Sequence, residues 1–282
     1  MDDARHTDGR NTPLSRDDLA LASAAEVRQA IRDGRWTSFT HGLAGGYVQA
    51  NLAIVPERYA FDFMRFCHRN PKPCPLIDVT DPGDPEPKVC ATGADLRTDL
   101  SGYRVYRDGK LAEQRTDLKD IWRKDHVGFL LGCSLSVDTA MIEAGIPLRH
   151  LAAGADGQDI PVYKSGVACR PAGVFSGPLV VSMRPIPRDL VVKAVEVTSR
   201  YPIAHGAPVH IGDGAAIGIK DVRKPDWNNY VEPAADEVSL FFACGVTPQA
   251  IAMASGIPEM ITHSAGQMFI TDIRLSASRL VN

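Results

Sequence analysis

Two segments of the chain, residues 125–147 and 236–258, align over 23 residues without a gap. Six positions are identical, including a cysteine at Cys133 and Cys244 and the Gly-Ile-Pro that closes each segment. In each segment an apolar run leads into a turn of small residues at the cysteine and then into a helical stretch that ends at the glycine. Any two βα units share some of this pattern by chance, but the shared cysteine and Gly-Ile-Pro favour a duplication. We therefore predict two strand–turn–helix units about an approximate two-fold axis, with both cysteines facing one cleft.

The rest of the chain also alternates between short apolar runs and helical stretches, which is typical of α/β proteins. Apolar runs without polar alternation indicate strands that are buried on both faces. The predicted strands are residues 127–131, 179–183, 191–197, 216–219, 238–243 and 268–273, and the predicted helices after the cysteines are residues 137–144 and 248–255. The expected fold is a layered α/β sandwich that contains the duplicated unit and a smaller α+β subdomain. Its expected parts, packed as one compact unit, are a flexible tail (1–14), an N-terminal α+β portion (15–120) and the duplicated α/β portion (121–282).

The N-terminal portion carries distinct local signals. Two residue pairs have the spacing of capping boxes and predict helix starts, namely Ser15 with Asp18 and Ser23 with Glu26. A further helix is predicted over residues 57–68, where apolar residues recur at helical spacing. The Asp108-Gly109 pair between two strand-like stretches predicts a hairpin with a type I′ turn.

Composition narrows the range of partners. The net charge of −3 and the lack of a Lys/Arg-rich run argue against nucleic acid. No apolar run approaches the roughly 20 residues of a membrane span, and the polar N-terminus lacks the apolar region of a secretory signal. Six cysteines without a CxxC pair indicate free thiols in a reducing compartment, so we expect a cytoplasmic protein. Because no dinucleotide-binding fingerprint is present, we expect no organic cofactor; a homo-oligomer is compatible with the sequence.

The two cysteine turns are the first candidates for chemistry. Each cysteine lies between a strand end and a helix start, the edge where open α/β sheets bind ligands. The free N–H groups and dipole of a helix N-terminus favour a carboxylate and lower the pKa of a thiol. Polar residues placed to contact a substrate are Ser134 and Ser136 in the first copy, Thr247 in the second, and one helical turn further on the equivalent pair Asp138 and Gln249. The alternative is that both cysteines are small buried residues without a chemical role.

Other candidates lie outside the repeat. His205, His210 and Asp213 occupy one Gly-rich stretch and could perform acid–base chemistry, although imidazoles bonded to the backbone would give the same pattern. They could also ligate a metal, but no fourth ligand is near in sequence, and we predict no metal site. The amides that could hold a polar ligand are Gln49 and Asn51, and the arginines that could hold a carboxylate are Arg97, Arg149 and Arg184. Each arginine taken singly is more typical of a surface or structural residue.

Several long runs of the sequence closely resemble a hydro-lyase family that also supplies a region of D-glutamate cyclase. These runs are GYVQANLAIVP (46–56), FCHRNPKPCPL (66–76), ADLRTDL (94–100), GCSLS (132–136), AGIPLRH (144–150), GPLVVSMRP (177–185), TSRYPIAHGAPVHIGD (198–213) and ACGVTPQ (243–249). The resemblance extends from about residue 23 to residue 273. It implies a reaction in which water is lost, as when D-glutamate cyclase closes D-glutamate to 5-oxo-D-proline.

We predict a carbon–oxygen hydro-lyase that acts on a small carboxylate or amino-acid-derived substrate, with cyclisation of the glutamate/5-oxoproline type as one candidate reaction. Water loss needs a base and an acid. Cys133 or Cys244 together with Asp138 are the first candidates for these roles, and His205 and His210 are the second. Two alternatives stay open: a cofactor-independent racemase or epimerase with two thiols about one carbon, and a non-catalytic carboxylate-binding protein.

Overall fold

The computed structural model describes residues 14–151 and 160–280. The predicted flexible tail therefore lies outside the described residues except for Leu14. The first two helices are α1 (Arg16–Ala20) and α2 (Ala24–Arg32), and each begins with the capping box that the sequence predicts. α2 packs on the last strand of the chain, where Arg28 forms an ion pair with Asp272 at 2.9 Å.

The remaining elements are eleven strands and four helices in the described part of the chain. In chain order they are β1 (Tyr47–Pro56), α3 (Glu57–Arg69), β2 (Leu76–Val79), β3 (Tyr103–Arg107), β4 (Lys110–Arg115), β5 (His126–Gly132), α4 (Asp138–Glu143), β6 (Val162–Ala168), β7 (Pro178–Pro187), α5 (Val191–Ser199), β8 (His210–Ile211), β9 (Glu237–Ala243), α6 (Thr247–Ser255), β10 (Met260–His263) and β11 (Phe269–Arg274). Within the described ranges, no helix is both long enough and apolar enough to cross a membrane.

The strands form two antiparallel sheets. The larger sheet has the order β2-β5-β1-β10-β3-β4, with β11 pairing with the first half of β1, and the smaller has the order β6-β7-β9-β8. The mixed α/β class is confirmed, and so is the β3–β4 hairpin, in which Asp108 and Gly109 both have positive φ. The larger sheet draws strands from both sides of residue 120. Open parallel sheets bind ligands at the carboxyl ends of their strands, but this rule does not apply to the antiparallel strands of this protein.

Each cysteine turn belongs to a longer unit, and the two units have the same order of elements. In the first unit β1, α3, β2 and β5 precede the turn and α4 follows it; in the second, β7, α5, β8 and β9 precede it and α6 follows. The first unit differs by the β3–β4 hairpin, which lies between β2 and β5 in the chain. The ladders are also in the same register, because the backbone N–H of Glu57 donates to Asp125 at 2.7 Å and that of Arg188 donates to Asp236 at 2.8 Å. A duplication would produce this common order, and we interpret the order as the result of one.

The two units exchange their final strands. β6 follows the first unit along the chain but pairs with β7 of the second, whereas β10 follows the second unit and pairs with β1 of the first. Each sheet is therefore completed by the other unit. The apolar side chains between the sheets form one shared core, which includes Ala53, Val55, Phe129 and Leu131 from the larger sheet and Val181, Met183, Phe241 and Ala243 from the smaller.

Two predicted strands are wrong. Residues 191–197 form the helix α5, because Ala194 and Thr198 are buried at helical spacing while Lys193 and Glu196 face solvent. The apolar content of this segment is high enough to resemble a buried strand. The segment is also too short to show a clear helical periodicity. Residues 216–219 are likewise not a strand: Ala216 and Ile217 belong to a 3-10 helix (Gly214–Ile217), which Asp213 caps by accepting a hydrogen bond from the backbone N–H of Ala215.

Candidate active site

Cys133 and Cys244 line the same cavity. It has a volume of about 60 Å3 and lies where the ends of β5 and β9 meet. Its polar wall residues are His41, Asn51, Ser134, Ser182, Arg184, Asn228 and His263, and its larger apolar wall residues are Leu135, Ile160, Val162, Trp227, Val246 and Met268. The two turns that the repeat singles out therefore meet at one place in the fold, and side chains from both units surround it.

The two central strands contribute to the wall from corresponding positions. On β1, Asn51 pairs with Leu131, and on β7, Ser182 pairs with Phe242 in the same register relative to the cysteine turn. The second turn fits closely against the first unit, because a Cβ atom at Gly245 would lie 1.9 Å from the Asn51 Nδ2 atom. A glycine at this position lets the Asn51 amide lie against the Cys244 turn.

Burial controls the ionisation of the two thiols. It raises the pKa of Cys133 to about 12 and also raises the pKa of Cys244. The backbone N–H groups of Leu135 and Val246 each point at a cysteine sulfur and act in the opposite direction, as does the charge of Arg184. These smaller effects do not outweigh burial. The prediction that the turns lower the pKa of the thiols is therefore wrong, and both are protonated at neutral pH.

Arg184 brings a permanent positive charge to the cavity although its side chain is only 3% exposed. Its Nη2 atom lies 3.3 Å from Ser134 Oγ and 3.4 Å from a carboxylate oxygen of Asp138, and its Nη1 atom lies 3.1 Å from Ser182 Oγ. The buried Nε–H has no hydrogen-bond partner among the described residues. These long contacts leave the guanidinium with donor capacity for a carboxylate ligand.

Asp138 contacts Arg184 without lining the cavity. Its other carboxylate oxygen lies 2.7 Å from His150 Nε2. Burial alone would raise the pKa of Asp138, but His150 and Arg184 together outweigh it, so that this pKa is lowered. Asp138 is thus an ionised group that balances and orients Arg184, and a substrate in the cavity would not reach it directly.

His263, in the final strand of the second unit, reaches the cavity from the larger sheet. The backbone N–H of Leu52 donates to its Nδ1 atom at 3.2 Å. Burial lowers the pKa of His263 to about 4, and the nearby charge of Arg104 acts in the same direction. The ring is therefore neutral at pH 7. Nδ1 also lies 3.4 Å from the Leu52 carbonyl oxygen, and we assign the ring proton to Nε2 because the contact with the Leu52 N–H is the shorter of the two.

Other predicted binding residues hold the backbone in place and do not line the cavity. The backbone N–H of Gln49 donates to Ser136 Oγ at 2.9 Å, and the Gln49 side chain forms two hydrogen bonds with Thr40, each of 2.9 Å. Thr247 Oγ1 donates to the carbonyl of Cys244 at 2.7 Å. These bonds fix the strand and the two turns on which the cavity depends.

The Gly-rich stretch does not form a second centre. His205 Nδ1 lies 2.7 Å from the carbonyl oxygen of Lys72, and burial lowers the pKa of His205 to about 4. His210 Nε2 instead bonds to the backbone carbonyl of Asp213 at 2.7 Å. Neither histidine lines the cavity. Across residues 14–151 and 160–280, no group of three His, Cys, Asp or Glu side chains is placed to hold a metal ion.

Two of the three predicted arginines have other partners. Arg97 forms an ion pair with Asp95 at 2.8 Å, and Arg149 forms one with Glu237. Neither lines the cavity, so among the predicted arginines Arg184 alone contributes to its wall.

The sequence profile of the family described as D-glutamate cyclase matches residues 127–272, a range that includes both cysteines. The chain belongs to this family. "Putative hydro-lyase GK2103" of Geobacillus kaustophilus is 55% identical over 255 residues, which are 90% of this chain and 96% of that protein. A "Putative hydro-lyase" of Stutzerimonas stutzeri is 53% identical over 252 residues, covering 89% of this chain and 94% of its own. These family members carry the name of a lyase.

Among solved structures, a nitrogen repressor-like protein, MJ0159 from Methanococcus jannaschii, is similar over 93% of this chain and 97% of its own. The TM-score is 0.40 at 11% sequence identity, which is too low to support a conclusion about the fold or the site.

The site residues predicted from the sequence do not include four of the polar wall residues of this family member, namely His41, Ser182, Asn228 and His263, and they do not include Trp227 on the apolar wall. A signal existed for His263, because a histidine follows each copy of the repeat, at His150 and at His263. Ser182 stands in the strand pattern as an ordinary residue, and its role becomes visible only when β1 and β7 are recognised as equivalent strands. Trp227 lies in an irregular segment with no periodic signal.

Proposed function

We propose that this protein is a hydro-lyase that removes water from a small carboxylate in the cavity between the two cysteine turns. The observation that carries the proposal is that Cys133, Cys244 and the buried Arg184 line one cavity. The family membership and the names of its relatives point to the same class of reaction.

Arg184 binds the substrate carboxylate in this proposal. A guanidinium held in a largely water-excluded place recognises a carboxylate strongly, and its two Nη atoms allow bidentate contact. Asp138 keeps the arginine in position from outside the cavity. The hydroxyl groups of Ser134 and Ser182, each already bonded to Arg184, add donors around the same anion.

The two cysteines exchange protons with the substrate. One cysteine, after its thiol proton has passed to water, takes a proton from carbon as a thiolate, and the electron pair of that C–H bond forms the new double bond while the C–O bond breaks. The other, as a thiol, protonates the departing oxygen, so that water leaves and the two cysteines have exchanged protonation states. Burial favours the thiol acid, whereas Arg184 and the N–H groups of Leu135 and Val246 stabilise the thiolate when it forms.

A proton NMR screen in heavy water tests the proposal. The purified protein is incubated separately with lactate, 3-hydroxybutyrate, D- and L-glutamate, and 5-oxoproline. We expect loss of water from a hydroxy acid, absent in the Cys133→Ser variant. Closure of glutamate to 5-oxoproline would instead show that water leaves when the amine attacks the side-chain carboxyl group, without removal of a proton from carbon. A protein that binds these acids and converts none of them would refute the hydro-lyase and support a carboxylate-binding protein.

A racemase or epimerase is the second candidate, and the placement of one thiol from each unit around one cavity favours it. Its signature in the same screen is different. Exchange of the α-proton for deuterium, with no loss of water, would identify it, because two thiols then act on opposite sides of one carbon.

A further inference from the structure

We propose that His263 is a catalytic hydrogen-bond donor whose neutral ring holds, through Nε2–H, an oxygen of the substrate other than those of the carboxylate on Arg184. This inference rests on the proposed function and deepens it. It names the substrate class as carboxylic acids that carry a second oxygen function, such as a hydroxyl, a lactam carbonyl or a second carboxyl group.

Hydrogen bonds hold both the ring and the backbone of His263. The N–H of Leu52 lies 3.2 Å from Nδ1, and the side chain of Gln249 donates to the carbonyl oxygen of His263 at 2.9 Å. Gln249 is itself held by Arg104, whose Nη1 lies 3.2 Å from the Gln249 Oε1 atom. His263 is only 1% exposed and lines the cavity, so a ring protonated on Nε2 presents a donor there and not a base.

The histidine that follows the first copy of the repeat is used differently. His150 Nε2 lies 2.7 Å from the carboxylate of Asp138, and His150 does not line the cavity. At the helix position equivalent to Asp138, the second unit has Gln249, which binds the backbone of His263 and leaves the ring without a carboxylate partner. With an acid at this position one histidine binds the carboxylate that contacts Arg184, and with an amide the other histidine faces the cavity.

The two donors also belong to different sheets. Arg184 lies on β7 of the smaller sheet and His263 on β10 of the larger one. A ligand bound to both must offer oxygen atoms to two separate groups, which a simple monocarboxylate without another oxygen does not. In a dehydration the second oxygen is the one that leaves, and a fixed neutral donor stabilises the charge that develops on it.

Long-range proton–nitrogen NMR of 15N-labelled protein tests the donor state without any turnover. The His263 signals are assigned by their loss in His263→Gln. We expect the neutral Nε2–H tautomer from pH 5.5 to pH 8, and a shift of its Nε2 resonance when 5-oxoproline or 3-hydroxybutyrate is added but a smaller one with butyrate. An Nδ1–H tautomer, an imidazolium ring, or no shift with any of the three acids would overturn the inference.

Kinetics with the acid that reacts in the heavy-water screen provide the second measurement. His263→Leu should lower kcat roughly 100-fold with little change in KM, since the lost contact strengthens in the transition state. His263→Gln, which keeps an N–H donor, should lose less. His150→Gln should instead raise KM, because it acts through Asp138 on Arg184. A shift of the His263 resonance without any water loss would disprove the hydro-lyase while leaving the donor role intact; equal kcat in His263→Leu and wild type would disprove the donor role alone.

Discussion

The two units of the molecule place their cysteines alike and their polar supports differently. Both turns bring a thiol, buried in Cys133 and half-buried in Cys244, to the same cavity. The first unit, however, has the ionised Asp138 behind its turn, and the second has the neutral Gln249. The difference teaches that a near-symmetric scaffold can place two thiols alike while only one of the two turns has a charged side chain behind it.

The largest expected effect concerns the similarity of the two thiols. Cys133→Ser and Cys244→Ser should each lower kcat by roughly 100- to 10,000-fold, because each removes one of the two proton-transfer groups. Stopped assays by NMR at substrate saturation measure this loss. Cys169→Ser is the matched control, since Cys169 is buried in the shared core outside the cavity and should keep wild-type kcat. If one of the two cavity variants also kept it, the units would not share the chemistry.

Arginine substitutions sharpen the electrostatic difference. Arg184→Gln should lower kcat/KM roughly 100- to 1,000-fold through loss of the carboxylate anchor, as for a removed charge-stabilising donor. Arg104→Gln should cost less, because Arg104 reaches the site through Gln249 and does not line the cavity. Arg97→Gln, on a half-buried ion pair away from the cavity, is the control and should leave kcat/KM unchanged. Equal losses in Arg184→Gln and Arg104→Gln would contradict the assignment of the carboxylate anchor to Arg184.

Acid should destabilise the two units in different pH ranges. The folded pKa of His263 is about 4, below its unfolded value of about 6.5, so the stability it provides is full above pH 6.5 and falls by roughly 3 kcal/mol as the pH drops to 4. Asp138 has a lowered pKa, so its contribution is present above the unfolded value of about 3.9 and is lost below it.

Urea unfolding at a series of pH values separates these contributions. His263→Gln should flatten the free energy of unfolding between pH 6.5 and pH 4, apart from the part that His205 contributes in the same range. Asp138→Asn should leave that slope unchanged and flatten the curve below pH 4. A slope between pH 6.5 and pH 4 that is the same in His263→Gln as in the wild type would mean that His263 is not buried as a neutral ring.

The smallest expected effect tests the equivalence of the helix ends. Gly145 and Gly256 both have positive φ and no neighbouring atom within 4 Å of an added Cβ. Gly145→Ala and Gly256→Ala should therefore each lower the free energy of unfolding by roughly 1 kcal/mol through backbone strain alone. Clearly unequal costs would show that the two helices do not end in the same way.

Local features of the fold were predictable from the sequence, and long-range ones were not. The capping boxes at Ser15 and Ser23 and the Asp108-Gly109 turn depend on neighbouring residues, and the structure contains all three. The exchange of β6 and β10 depends on pairings between distant segments, about which apolar periodicity carries no information. The helix at Val191–Ser199 had a weak signal in the outward positions of Lys193 and Glu196, which its many valines obscure.

The candidate site was predictable in part. The repeat singled out Cys133 and Cys244, because identity at a turn is visible without a structure. The sign of their pKa shift depends on the depth of burial, which a turn motif does not encode, and the sequence-based prediction of it was wrong. Arg97, Arg149 and Arg184 look alike in sequence, and only the fold distinguishes the arginine in the cavity wall from the two in other ion pairs.

The exchanged strands also determine when the protein can fold during synthesis. Ala53 on β1 pairs with Thr262 on β10, so the larger sheet stays incomplete until nearly the whole chain has left the ribosome. The chain between β1 and β10 forms a very long loop, and closing it has a large entropic cost. Pairings between such distant segments slow folding. Until β10 has been synthesised, one edge of β1 in the nascent first unit stays unpaired. An unpaired strand edge favours aggregation and engagement by chaperones. His263 lies in β10, so the pairing of β10 with β1 also completes the cavity wall.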